Sequence, residues 1–104
     1  PRLDEIPFDA AHRFMATAHA APGGGRAIFA KGAPERLLAM CATEAGLGSE
    51  GPLDRARWEE RIAAAAAEGE RVLGFAFKRE GPAGERMTFA DLDAGLVFLG
   101  IVGF

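Results

Sequence analysis

The stretch Phe29-Ala30-Lys31-Gly32-Ala33-Pro34-Glu35 joins an apolar run to the start of a helix, and the rest of the chain is organised around it. The residues up to Lys31 have the length and composition of a strand. Pro34 suits the first turn of a helix, where its missing N–H leaves no hydrogen bond unmade. Glu35 is favourable near the positive end of the helix dipole. Lys31 is therefore predicted to lie where a strand ends and a helix begins, a position that ligands often approach.

An aromatic residue upstream is the expected companion of this lysine. Phe8, in Pro7-Phe8-Asp9, follows a short stretch that can form a strand, and its ring is predicted to be exposed. A ring and an ammonium are the minimum needed to stack a flat base and to hold its edge or its phosphates. The same two residues also have plainer interpretations, as a core aromatic and as a solvated lysine at the end of a strand.

The pattern of apolar residues predicts an α+β domain. Strands are expected at 3–8, 14–20, 26–31, 71–78 and 96–102, and helices at 34–41 and 53–68. The order β-β-β-α-α-β-β predicts a mostly antiparallel sheet with two main helices packed against it. Residues 44–52 are predicted to be a glycine-rich linker, Cys41 to lie on the first helix, and Trp58 to pack the second helix on the sheet. The run 71–78 is apolar on both faces, which is typical of a central strand covered by helices.

Composition limits the functions open to the chain. Its 104 residues, 49% of them hydrophobic, predict a single domain over 1–104. The net charge of −3 and the absence of a basic block weigh against nucleic acid or an anionic membrane as a partner. No apolar run approaches the roughly 20 residues of a membrane-spanning helix. The spacing of His12 and His19 does not indicate a metal site, and no set of nucleophile, base and orienting residue indicates a catalytic site.

The closing run Leu96–Phe104 is almost entirely apolar and has no polar cap. Because chain ends are usually solvated, we expect this domain to be excised from a longer protein. An apolar terminal strand also supports an alternative hypothesis, a non-enzymatic α+β interaction module that pairs this strand with a partner chain by edge addition.

Four motifs occur in an order that carries a family resemblance. They are Pro7-Phe8-Asp9 with Arg13-Phe14-Met15, then Lys31-Gly32-Ala33-Pro34-Glu35, then Gly69-Glu70-Arg71-Val72-Leu73, and the closing run from Leu96 to Gly103. With these motifs, nearly the whole chain resembles the nucleotide-binding (N) domain of a P-type cation-transporting ATPase. The resemblance implies ATP with Mg²⁺ as the bound group. It also implies a cytoplasmic position in an integral membrane protein, without direct membrane contact, and the phosphorylation and actuator domains of the same parent chain as partners.

The resemblance also implies a role for individual residues. Phe8 would stack on adenine, Lys31 and Gly32 would line the adenine pocket, Arg71 would reach the phosphates, and Arg13 would lie near the nucleotide. Ala10 and Ala11 replace positions that are often polar in the family, so weak binding is expected. The family's phosphorylated Asp-Lys-Thr-Gly-Thr motif is absent from this sequence. The parent would hydrolyse ATP to drive cation transport, whereas this chain alone is expected to be inactive.

Overall fold

The computed structural model describes residues 2–8, 11–20, 23–46, 50–79, 87, 92 and 95–104. In chain order the elements are β1 (Arg2–Ile6), β2 (Phe14–Ala20), β3 (Arg26–Gly32), α1 (Pro34–Met40), β4 (Cys41–Ala45), β5 (Glu50–Pro52), α2 (Arg55–Ala67), β6 (Val72–Arg79) and β7 (Leu96–Gly103). The strands form one sheet in the order β1-β2-β3-β6-β7-β4-β5. All neighbours are antiparallel except β4 and β7. The predicted α+β class, with a mostly antiparallel sheet and two helices, is confirmed.

Both described helices pack on the same face of the sheet. Helix α1 buries Leu37 and Leu38, and it lies so close to β6 that a Cβ on Gly74 would come within 3.0 Å of the Pro34 Cα. Helix α2 is held by Trp58, whose ring meets that of Phe98 edge to face at 4.9 Å. Burying a side chain such as Phe98 stabilises the fold by roughly 1.5–3 kcal/mol. The predicted packing role of Trp58 is confirmed, and neither described helix is long and apolar enough to cross a membrane.

The prediction of a linker over 44–52 is wrong, since strands β4 and β5 occupy most of this stretch. They pair antiparallel with each other from Thr43↔Pro52 to Ala45↔Glu50, and β4 also pairs parallel with β7. Cys41 accordingly begins a strand instead of lying on the helix, and its backbone is extended, with φ −105° and ψ 146°. Pairing with β7 supplies the hydrogen bonds that outweigh the weak local strand preference of β4.

The surroundings of the two long apolar strands, β6 and β7, also differ in part from the prediction. Strand β7 lies inside the sheet, between β6 and β4, over Leu96–Phe98, so this part of the strand has no exposed edge for the pairing that the interaction-module hypothesis requires. Strand β6 is central as predicted, but the described helices cover one of its faces only. Phe75 and Phe77 are half-buried on the opposite face, which is open along the middle of the sheet.

Candidate functional site: one end and one face of the sheet

The predicted nucleotide-binding residues lie at one end of four neighbouring strands. Strand β1 ends shortly before Phe8, β2 begins after Arg13, β3 ends with Lys31 and Gly32, and β6 begins after Arg71. These strands are consecutive in the sheet and antiparallel, so the end of one meets the start of the next. The cross-strand pairs Phe14↔Gly32 and Gly32↔Gly74 set the register of three of these strands at this end of the sheet. Five residues spread over most of the chain are therefore brought to the same end of the sheet.

Lys31 lies on the open face of the sheet, in a cleft of about 240 Å³. Its cross-strand partners are Met15 of β2 on one side and Phe75 of β6 on the other. We call this space the Lys31 cleft; its lining residues are Met15, Thr17, Phe29, Ala30, Lys31, Phe75, Ala76 and Leu99. The Lys31 cleft thus combines one exposed cation with a largely apolar wall.

Seven of the eight lining residues, all but Lys31, were not predicted from the sequence as site residues. The larger apolar ones among them are Met15, Phe29, Phe75 and Leu99. The signal that could have found three of them is the alternation of strand side chains, which places Phe29 on the same face as Lys31 and brings Met15 and Phe75 level with it. Which face would stay open could not be read from that alternation, because β6 is apolar on both faces.

Phe8 has the exposure expected of a ring that meets a ligand, with 61% of its surface accessible. It follows β1 without belonging to it, and it is not one of the residues that line the Lys31 cleft. Arg71 is also exposed, and its backbone is fixed by two hydrogen bonds with Phe104, of 2.8 and 2.9 Å. Both side chains therefore lie near the end of the sheet without being part of the cleft wall.

Arg13 lines a different space, on the helix side of the sheet. This groove of about 250 Å³ is lined by Arg13, Ala33, Pro34, Glu35, Ile62, Ala66, Glu70 and Val72. The Arg13 guanidinium lies 3.8 Å from a Glu35 carboxylate oxygen, and both side chains are more than half exposed. An exposed pair of this kind contributes about 0–1 kcal/mol, so it holds the guanidinium only weakly. Arg13 is also the one non-glycine residue with positive φ (65°) among those that the structure describes.

Gly32 is required by the packing of two backbones. A Cβ at this position would lie 2.4 Å from the Arg13 carbonyl oxygen and 2.6 Å from the Phe14 Cα. The next residue, Ala33, donates a hydrogen bond of 2.9 Å from its N–H to the same Arg13 oxygen. The close approach that Gly32 permits is therefore to the start of β2, which positions Arg13 beside the end of β3.

Similarity to a known family identifies the kind of domain. The model of the P-type ATPase cytoplasmic domain N matches residues 1–104, the full length of the sequence. The chain belongs to this family. The resemblance found in its four motifs is confirmed.

Individual relatives of this N domain agree with the family match. Cation-transporting ATPase pma1 of Synechocystis sp. is 42% identical over 106 residues, covering 99% of this chain and 11% of the relative. Probable cation-transporting ATPase F of Mycobacterium tuberculosis is 40% identical over 74 residues, 70% of this chain and 8% of the relative. The sodium/potassium-transporting ATPase subunit alpha-1 of Catostomus commersonii is 36% identical over 81 residues, 71% of this chain and 8% of the relative. This N domain thus spans about a tenth of the length of its relatives.

Proposed function

We propose that this N domain binds Mg-ATP by its adenine and presents the γ-phosphate to an aspartate in a separate phosphorylation domain. The parent would be a P-type cation-transporting ATPase, and residues 1–104 its single nucleotide-binding domain, on the cytoplasmic side of the membrane. One observation carries the proposal: the chain matches the N-domain family over its whole length. The gathering of the predicted nucleotide-binding residues at one end of the sheet supports it.

Each of the predicted site residues has a proposed role. The exposed ring of Phe8 stacks on adenine, an interaction worth roughly 1–3 kcal/mol per base in nucleic-acid systems. Lys31 lines the adenine pocket and donates hydrogen bonds from its ammonium. Gly32, beside it, has no side chain and so permits a close approach of the backbone. Arg71 forms a bidentate pair with phosphate oxygens, the geometry that a guanidinium favours. Arg13 reaches the nucleotide after leaving its weak pair with Glu35.

The domain contributes positioning, and the chemistry occurs in a neighbouring domain. A carboxylate oxygen of the phosphorylated aspartate forms a bond to the γ-phosphorus, the bond to the bridging oxygen breaks, and ADP leaves with that oxygen. Water later hydrolyses the aspartyl phosphate to release inorganic phosphate. The phosphorylation and actuator domains of the parent chain are thus the proposed protein partners. This chain, without the phosphorylated motif, is proposed to be inactive alone.

Magnesium fits this proposal as an ion carried by the nucleotide. Mg²⁺ prefers oxygen ligands and is often bound through substrate phosphates and water. Among the described residues, no group of three His, Cys, Asp or Glu side chains could hold a metal ion. We therefore assign Mg²⁺ to the phosphates of ATP, where it neutralises their charge, and assign no protein ligand to it.

A nuclear magnetic resonance titration of the ¹⁵N-labelled 104-residue protein tests the proposal. Mg-ATP is expected to shift the backbone amide signals of Phe8, Lys31, Gly32 and Arg71. Tripolyphosphate with Mg²⁺ is the control: it lacks the base, so it should leave the Phe8 signal unchanged. The proposal fails if millimolar Mg-ATP produces no shifts, or shifts only far from this end of the sheet.

The interaction-module alternative is less well supported. It needs a free edge along the closing strand, and β4 occupies that edge over Leu96–Phe98. Exposed Leu99, Val102 and Phe104 do leave an apolar surface farther along the chain. Sedimentation with and without ATP separates the two functions, because the alternative requires a concentration-dependent oligomer and no nucleotide response.

A further inference from the structure

A second space lies on the open face of the sheet, toward the end opposite the proposed nucleotide-binding residues. Its volume is about 380 Å³, and the residues that line it include His19, Ala27, Phe29, Phe77, Arg79 and Leu99. Ala27 precedes Lys31 by four residues on β3, which places the two about 13 Å apart along the strand. We call this space the Arg79 pocket. Its volume is in the range of small-molecule sites.

The floor of the Arg79 pocket is aromatic. Phe29 of β3 and Phe77 of β6 are cross-strand partners, and their rings are stacked with centroids 6.0 Å apart and planes inclined by 22°. The His19 ring meets Phe29 edge to face at 5.8 Å. Phe29 keeps 44% of its surface accessible although it lies on an interior strand. A flat apolar group can therefore contact exposed aromatic surface here.

Leu99 lies at the boundary between the Arg79 pocket and the Lys31 cleft, since it lines both. The pairing of β6 with β7 skips this residue, because Phe75 pairs with Gly100 and Ala76 with Phe98. An extra residue of this kind bends its strand and redirects a side chain. The Leu99 side chain, 42% exposed, thus separates two spaces on the open face.

Two hydrogen-bonding side chains flank the small side chain of Ala27. His19 pairs with Ala27 from β2 and Arg79 pairs with it from β6, so their backbones lie about two strand spacings, or about 10 Å, apart. Nε2 of His19 lies 3.0 Å from the Thr17 hydroxyl, and its Nδ1 has no described partner. Within the described ranges, no carboxylate forms an ion pair with Arg79. An anion over Ala27 can therefore accept hydrogen bonds from both sides.

We infer that the Arg79 pocket binds a small organic anion that carries a carboxylate or sulfonate on a flat apolar ring. The anionic group lies over Ala27, between the Arg79 guanidinium and the His19 imidazole, and the ring lies on the aromatic floor. Charge complementarity decides this class: a neutral ring would leave the guanidinium without an acceptor, and inorganic phosphate would leave the aromatic floor uncovered. The pocket is separate from the proposed nucleotide site, and the inference does not rest on nucleotide binding.

The test is an amide-shift titration of the ¹⁵N-labelled 104-residue protein with 2-naphthoate. The neutral 2-naphthamide, with the same ring system, is the ligand control. Naphthoate is expected to shift the signals of His19, Ala27 and Arg79 and to bind at least about fivefold more tightly than naphthamide. Raising the salt concentration should weaken the binding of naphthoate and leave that of naphthamide unchanged.

Two pairs of variants separate contact with the anion from general effects on the sheet. Arg79→Ala should weaken naphthoate binding about tenfold, whereas Lys31→Ala, which removes an exposed cation of the neighbouring cleft, should weaken it less than about twofold. Phe77→Leu removes a ring from the floor and should weaken binding about fivefold. Its control is Phe75→Leu, because Phe75 lies two residues away on the same face of β6 and lines the Lys31 cleft instead.

Three results would overturn the inference. The first is equal affinity for naphthoate and naphthamide, or unchanged naphthoate affinity in folded Arg79→Ala. The second is a set of shifts confined to Phe8, Lys31 and Gly32, which would place naphthoate in the proposed nucleotide site. The third is a concentration-dependent dimer in sedimentation that covers Phe29 and excludes naphthoate, which would assign this face to a second copy of the chain. Each result leaves the proposed function standing, because the Mg-ATP titration tests that function separately.

Discussion

The indole nitrogen of Trp58 donates a hydrogen bond of 3.1 Å to Oε1 of Glu44, so the side chain that packs α2 on the sheet is also tied to β4. The same carboxylate accepts a 2.7 Å hydrogen bond from the Asp54 N–H and forms an ion pair with the Arg57 guanidinium. These contacts leave the Glu44 side chain only 13% exposed. One carboxylate thereby fixes the start of α2 against a strand that local sequence signals did not predict.

Glu44→Gln is expected to lower the free energy of unfolding by about 1 kcal/mol at pH 7, because charged hydrogen bonds become neutral. The Asp54 N–H, Trp58 and Arg57 hold the folded-state pKa of Glu44 below its ordinary value of 4.5. The stabilisation is therefore complete above that value and is lost as the pH falls through the folded-state pKa. Urea unfolding followed by Trp58 fluorescence at pH 7 and pH 3 should show the two proteins converging in acid.

The control for this pH dependence is Glu59→Gln. Glu59 is an exposed residue of the same region, 3.9 Å from Arg55, and its replacement should change stability by no more than about 0.5 kcal/mol. A Glu44→Gln effect of equal size at both pH values would show that the carboxylate charge is not responsible.

Gly32→Ala is expected to destabilise the domain by about 1–3 kcal/mol, because the added methyl group would meet backbone atoms of Arg13 and Phe14 at the distances given above. Gly51→Ala is the control, since a Cβ there meets nothing within 4 Å. Thermal unfolding measures both. Equal stability of the two variants would contradict the tight contact between the end of β3 and the start of β2.

Lys31→Ala is expected to weaken ATP binding about tenfold, since it removes the cation of the cleft, while leaving the free energy of unfolding within about 0.5 kcal/mol. Arg79→Ala is the matched control: it removes an exposed cation from β6 at the opposite end of the open face, outside the Lys31 cleft. Titration calorimetry or amide shifts give the affinities. Equal losses in both variants would assign the effect to net charge alone.

Phe8→Leu tests stacking separately. The ring is 61% exposed, so its loss should leave stability within about 0.5 kcal/mol while weakening ATP binding about fivefold. Phe104, which is 66% exposed, provides the control Phe104→Leu, with unchanged affinity expected. An unchanged affinity for Phe8→Leu would remove Phe8 from the proposed site.

Cys41 is expected to react slowly with thiol reagents. Burial raises the pKa of its thiol to about 12, so very little thiolate is present at pH 8. Modification by a disulfide reagent should be at least about a hundredfold slower in the folded protein than in urea. Similar rates in both conditions would show that the start of β4 opens readily.

Much of the fold could be predicted because its signals are local. Alternation in β2 and β3, the proline at the start of α1 and the apolar stripe of α2 each act within a few residues. The site residues Phe8, Lys31 and Arg71 came from short motifs, and antiparallel pairing brought those motifs to one end of the sheet. Their roles with a nucleotide stay predictions.

The missed features all depend on contacts between distant parts of the chain. Strands β4 and β5 are short, with five and three residues, and the pairing Cys41↔Leu96 stabilises β4 from far along the sequence. Arg13 carries no local signal that it pairs with Glu35 on the helix side. Likewise, β6 is apolar on both faces, so its pattern does not say which face the helices cover.

The order of amino acids thus fixed the α+β class, the limits of the longer elements and the motifs that identify the N-domain family, because dihedral preferences, side-chain alternation and caps are properties of neighbouring residues. The parallel addition of β4 to β7, the separation of Arg13 from the Lys31 cleft and the aromatic wall around that lysine arose only on folding. Each of these depends on packing and hydrogen bonding between residues that are far apart in the sequence, including the surfaces that the two helices bury.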